Sequence, residues 1–163
     1  RAMSKDFSKL HGFLQVESVL TLATDDAHGS WSAPVLYVAD ISADPFALYF
    51  LSSANSRHIQ SLPADGTAAV SIYSDYDGNW QSIRGAQIQC SIVQVTEEDR
   101  APIAERYFAR FAEIKALIDN PQTDQERLIG SAFGRSHFYR VTPSFIRFTN
   151  NSDSFAGRTE WQL

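Results

Sequence analysis

The chain has 163 residues, of which 44% are hydrophobic and 20% charged, and a formal net charge of −5. That balance argues against disorder, a general nucleic-acid surface and a surface that seeks anionic membranes. A single cysteine, Cys90, excludes an internal disulfide and a zinc–thiolate cluster, and no apolar run approaches the roughly 20 residues of a membrane span. One cytoplasmic domain spanning residues 1–163 is expected, with Arg1 and Ala2 ahead of Met3 read as a possible cloning remnant.

Asp6 to Ser18 places Phe7, Leu10, Phe13 and Leu14 at helical spacing and predicts a short amphipathic helix. Val19 to Thr24 is a β-branched, apolar run that ends in the turn cluster Asp25 to Ser30. Trp31 to Ala39 continues as a second strand, and Pro34 demands an edge or a bulge there. Phe46 to Leu51 is the third strand. Ser52 to Leu62 reads as a short helix, stopped by Pro63. Thr67 to Tyr73 is the fourth strand. Trp80 to Thr96 is a bent fifth, with Gly85 at the kink. Thr96 to Asp99 fits a capping box. One helical face then carries Ile103, Tyr107, Phe108, Phe111, Ile114 and Ile118, and Asn120-Pro121 ends it. Asp124 to Ala132 predicts a helical turn or two. His137 to Arg140 and Ser144 to Asn150 predict a final strand pair broken at Pro143, and the tail from Asn151 shows no period. Antiparallel strands at short spacing predict a small, mainly β (α+β) barrel with flanking helices. A doubly wound sheet is disfavoured, because the βαβ alternation and a GxGxxG turn are absent.

Three stretches carry groups that suit a ligand. Ser52-Ser53-Ala54-Asn55-Ser56-Arg57-His58 ends a strand in hydroxyls and opens a helix with cationic side chains. Free helix N–H groups and an arginine fork suit a phosphate monoester. Capping by Ser53 or Asn55 and a solvated Arg57 is the plainer reading, and pattern alone favours it. Ser30 to Tyr37, around Pro34, leaves backbone groups free for a planar heteroaromatic edge, although a simple edge strand explains it as well. Trp80 to Cys90 offers Arg84 and Gln87 beside Gly85, or else a kinked strand with outward polar residues.

Taken together, these stretches resemble the FMN-binding split barrel of the pyridoxamine 5'-phosphate oxidase-like superfamily. Ser56-Arg57-His58 is similar to the Ser-Arg-Lys that holds the flavin phosphate there. Phe145 to Asn151, followed by Ser154 to Arg158 and Trp161, resembles the ending of a small bacterial branch of that superfamily. The resemblance runs from about Val19 to Trp161. It implies a six-stranded antiparallel split β-barrel and a homodimer with FMN at the subunit interface. It implies a phosphate grip from Ser52, Ser53, Ser56, Arg57 and His58, with Arg84 near it. Ring contacts from Ala33, Pro34, Val35 and Gln87 are implied too, with Phe155, Arg158 and Trp161 of the partner's tail closing the pocket.

Departures from the pattern narrow the function. His58 stands where the oxidase has lysine, which makes that charge partner weaker and pH-dependent. Asn150 and Cys90 stand where relatives often have Asp and Gly, and the tail lacks the oxidase's Arg-x-His substrate motif. The main expectation is an FMN-dependent oxidoreductase acting on a small-molecule substrate or electron donor, with no catalytic residue assigned. A non-catalytic flavin carrier or redox sensor uses the same residues. Haem binding, with a histidine such as His137, and deazaflavin binding are alternatives within the same fold. His11, His28, His58 and His137 show no HxH or HExxH spacing, so no metal site is expected. Cys90, mid-strand, is expected to be a buried, inert thiol.

Overall fold

Short β-branched runs and tight turns govern the first half of the chain. The computed structural model describes residues 5–154 and 156–163. Helix α1 (Ser8–Val16) leads into β1 (Val19–Asp26) and β2 (Gly29–Asp40). The hairpin between them closes on Gly29, whose φ of +104° is one that L side chains rarely adopt. Next come β3 (Ala47–Ser52), α2 (Arg57–Gln60), β4 (Thr67–Tyr73) and β5 (Arg84–Gln94). The excursion α3 (Glu97–Arg110), α4 (Ala112–Asp119) and α5 (Asp124–Gly134) precedes β6 (His137–Asn150) and β7 (Arg158–Gln162).

The class is α+β, as expected. The strands form one sheet in the order β3-β2-β1-β4-β5-β6-β7, and β3 also pairs with β6. That extra pairing joins β1 to β6 in a ring of six, with β7 added outside it. β7 was not foreseen, because its five residues follow the unpatterned segment after Asn151.

Alternation sorts each strand into two faces. Leu20, Leu22, Phe50, Val70, Ile72, Ile88, Ile146 and Trp161 point into the ring, where α1 adds Leu10, Phe13 and Leu14. A second core lies outside. Ile103, Tyr107, Phe111 and Ile114 of the excursion pack on Val38, Tyr49, Leu51 and Phe138. The predicted helical face therefore has its partner, and β3 is buried along all six residues. Arg110, which ends α3, donates to the carbonyls of Gln15, Val16 and Glu17 and so caps α1.

Four boundaries differ from expectation. The helix predicted over Ser52–Leu62 shrinks to the single turn α2, because Ser52 stays in β3. The fifth strand starts at Arg84, since Asn79 Oδ1 accepts from the Gln81 N–H and folds Trp80–Ser82 into a 3₁₀ turn. The long amphipathic helix is two helices, broken where Phe111 takes φ −115° and ψ 59°. β6 does not break at Pro143. A register shift between Gln89 and Cys90 leaves Ser144 as an extra residue, so the strand continues through a bulge. The full capping box belongs to α5, where Thr123 and Glu126 exchange bonds, whereas Thr96 gives its hydroxyl to the Asp99 carboxylate.

Candidate functional site

The end of β3 and the turn α2 bring the predicted phosphate group together. Ser52, the last residue of β3, is buried on the inner side of the ring. Its Oγ lies 3.0 Å from Ser56 Oγ and 2.8 Å from His58 Nε2. Ser56 in turn donates to the Ser53 carbonyl at 2.5 Å. The Ser53 hydroxyl accepts from the Asn55 N–H at 3.2 Å, which shapes the turn. Ser53 thus shapes the turn rather than capping α2, whose N-cap is Ser56 with no side-chain cap bond, while Ser52, Ser56 and His58 form a hydrogen-bonded chain. Burial of the imidazole holds His58 below its ordinary value, so it is neutral near pH 7.

Arg57 lies beside this chain and is exposed. Its guanidinium carbon sits 4.0 Å from the centroid of the Trp31 ring, and Nη2 donates to the His28 carbonyl at 3.4 Å. The Asp26 carboxyl, in the same corner, is held below its usual range by the His28 N–H, with smaller contributions from Ser61, His28 and Arg57. Trp31 was not singled out from the sequence. Its signal was an aromatic residue directly after a turn, on a strand with a proline three residues on.

β2 presents a free edge to this corner. β3 pairs only with Tyr37–Asp40, so Gly29–Leu36 are paired on the β1 side alone. Pro34 sits in that free stretch, where no ladder donor is needed on the open side, as its position in the sequence required. Ala33 and Val35 turn inward, and Pro34 turns outward.

Outward, Pro34 begins a row that crosses the sheet. Pro34 pairs with Thr21, Thr21 with Ser71, Ser71 with Gln87, Gln87 with Arg147, and Arg147 with Glu160. A parallel row runs Ser32, Ala23, Ala69, Gln89, Phe145, Gln162. Small residues at the centre and longer ones at the side leave a shallow groove of about 380 Å³, lined by Ala23, Ala69, Ser71, Gln87, Phe145 and Arg147 among others. Among the described residues no helix packs on this face, in contrast to the face covered by the excursion.

The remaining predicted residues stand apart from this corner within one chain. Arg84 opens β5, where Gly85 pairs with Tyr73, and it lies 5.8 Å from the Phe13 ring. That places it at the opposite end of the sheet, roughly 15–20 Å of strand away from the hairpin. Arg158 is exposed at the start of β7, opposite Thr149. Trp161 points inward and its ring packs tilted against Phe7 at 5.1 Å, so it serves its own core. Phe155 lies outside the described residues. His137 pairs opposite Ser52 across β3 and β6, with its Nδ1 3.3 Å from Gln94 Nε2. Among the described residues no cluster of three or more His, Cys, Asp or Glu could hold a metal ion. Cys90 is buried, and burial pushes its thiol up to about 12.

No protein-family profile matches the chain. A UPF0306 protein from Photorhabdus laumondii is 23% identical over 159 residues, covering 98% of this chain and 97% of its own. Among solved structures, a heme-binding protein from Mycobacterium smegmatis superposes with a TM-score of 0.69 at 14% identity. It matches 99% of this chain, which spans only 60% of that protein. A FAD-binding protein from Mesorhizobium loti superposes with a TM-score of 0.62 at 11% identity, covering 87% of this chain and 92% of its own. The shared feature at these identities is the fold, which is split-barrel-like. Among the described residues no helix is long and apolar enough to cross a membrane.

Proposed function

We propose that the chain binds FMN and works as a flavin-dependent oxidoreductase of a small-molecule substrate, as a homodimer. The observation that carries this reading is the Ser52–Ser56–His58 chain beside the exposed Arg57. Hydroxyl donors, an imidazole and a guanidinium with no carboxylate partner among the described residues suit the terminal phosphate of a flavin mononucleotide. The free edge of β2 at Pro34 supports it further, since an unpaired strand offers backbone groups to a planar ring. A FAD-binding protein among the structural relatives is consistent with flavin in such a fold.

The bare sheet face supports the dimer. A second copy seated on it about a two-fold axis, perpendicular to the strands, sets the far end of one copy over the hairpin end of the other. Gln87, Arg84 and Arg158 of one chain then approach the phosphate grip of its partner. When bound, the flavin supplies hydride or electron transfer at its ring, and the chain's own residues bind, orient and shield it. Arg57 and the hydroxyls hold the anionic end, and His58 takes a proton more readily beside a phosphate dianion.

A flavin carrier or sensor without turnover differs only in rate, and deazaflavin binding differs in the ligand taken up. Haem binding is a second reading, favoured by His137 lying opposite Ser52 at the same end of the ring and by the heme-binding relative. One experiment separates the three ligands. Purified protein is titrated with FMN, with deazaflavin and with haem. The proposal expects saturable FMN binding that shifts the flavin spectrum. It also expects Arg57→Ala to weaken it by about 1.5–3 kcal/mol, the size of one charge-assisted contact. A Soret shift lost in His137→Ala, with no response to FMN, would favour haem instead.

A further inference from the structure

The charge of Arg57 is left available by its surroundings. Among the described residues it has no carboxylate within ion-pair distance, although Asp26 lies in the same corner. Its partners are the face of an indole at 4.0 Å and a single carbonyl at 3.4 Å. The backbone fixes it weakly, because Arg57 opens a helix of only four residues. A long arginine in such a place samples many rotamers unless something holds its head.

Trp31 meets that need. It is 42% exposed, on the stretch of β2 that pairs on one side only. Full burial is therefore not its role. A cation over a π-face is held by the ring quadrupole, and a planar guanidinium in that position keeps N–H donors for another acceptor. An ion pair with Asp26 would instead compete for those donors.

We propose that Trp31 is a positioning residue for Arg57, its indole face holding the guanidinium ready for the phosphate monoester of a flavin mononucleotide. The proposal rests on the flavin reading above and adds the residue that fixes its anion grip. It also sets a specificity: the phosphate-bearing flavin should depend on Trp31, and the phosphate-free one should not.

The test is a double-mutant cycle read with two ligands. FMN and riboflavin affinities are measured by calorimetry for wild type, Trp31→Ala, Trp31→Phe, Arg57→Ala and the double variant. Wild type should bind FMN more tightly than riboflavin. Trp31→Ala should lose roughly threefold to tenfold in FMN affinity, the scale of one exposed to partly desolvated cation–π contact, with riboflavin unchanged. Trp31→Phe, which keeps a π-face, should recover part of that loss. In the Arg57→Ala background, Trp31→Ala should have no further effect on FMN. Equal losses for both flavins, or additive losses of Trp31→Ala and Arg57→Ala, would overturn the positioning role and leave the flavin reading standing. A wild type that binds neither flavin would overturn that reading and the role of Trp31 with it.

Discussion

His58 is the residue at which the candidate site departs most from a permanent cationic grip. Its Nε2 lies 2.8 Å from Ser52 Oγ, and burial lowers its tendency to hold a proton from the ordinary 6.5. The stability consequence has a definite sign. The unfolded chain takes up the proton first, so folded stability falls as pH drops below about 6.5 and continues to fall until the folded value is passed. The stability difference between wild type and His58→Gln, read by urea unfolding, should therefore stay constant above that pH and shift against the wild type below it, since only the wild type carries this component. Ligand binding has the opposite preference, since a phosphate dianion favours the imidazolium. His58→Lys should strengthen FMN binding at pH 8 and flatten its dependence between about pH 6 and 8. Titrations at several pH values check this; an unchanged pH profile would remove His58 from the grip. Cys90 should resist alkylation in the folded state and react only on unfolding, because burial pushes its thiol up to about 12.

The elements show where local pattern decides and where tertiary contacts do. β4 was legible to the residue, because Thr67 to Tyr73 is bounded by Gly66 and alternates in and out. Gly66 needs its φ of +73°, and a side chain there would collide with the Ile92 carbonyl. The Ser-Arg-His turn was legible as a cluster of hydroxyl and cationic side chains, yet its helix is shorter than the spacing predicts, since β3–β6 pairing retains Ser52 in the sheet. The bulge at Ser144 was not legible. Pro143 alone suggested a break, and only the partner strand reveals that one extra residue absorbs it. Ser144's carbonyl is then satisfied by the Gln162 side chain and the Leu163 N–H, both from the tail that shows no periodicity. The split between α3 and α4 was equally hidden, as Phe111 and Ile114 continue one apolar face across it. Close approach of α5 to α4 yields a sharp prediction. A Cβ on Gly130 would collide with the Leu117 carbonyl. Gly130→Ala should destabilise by about 1–3 kcal/mol, visible as a lower urea midpoint, and should spare ligand affinity because α5 lies away from Arg57.

At the scale of the molecule, the α3–α5 excursion covers one outer side of the ring, and among the described residues no helix covers the face of the Ala23–Ala69 row. The covered side fixes β3 and so fixes Ser52. The bare side, with Ala23, Ala69 and Ser71 at its centre, is where the second copy is proposed to sit. Ala69→Arg should then give monomers in solution scattering and weaken FMN binding together. Leu128→Arg, at a position on α5 that is 74% exposed, should leave both intact. Arg84 lies too far from Arg57 to join it within one chain, so the proposed dimer would also decide whether an acidic protein of net charge −5 gathers enough positive charge for a phosphate. The most direct test of the central claim is the FMN titration of purified wild type and Arg57→Ala near pH 7. Saturable binding of one FMN per chain is expected, at micromolar or tighter affinity, weakened at least tenfold in the variant. An FMN spectrum and fluorescence unchanged by excess wild-type protein, or equal binding by both proteins, would contradict it.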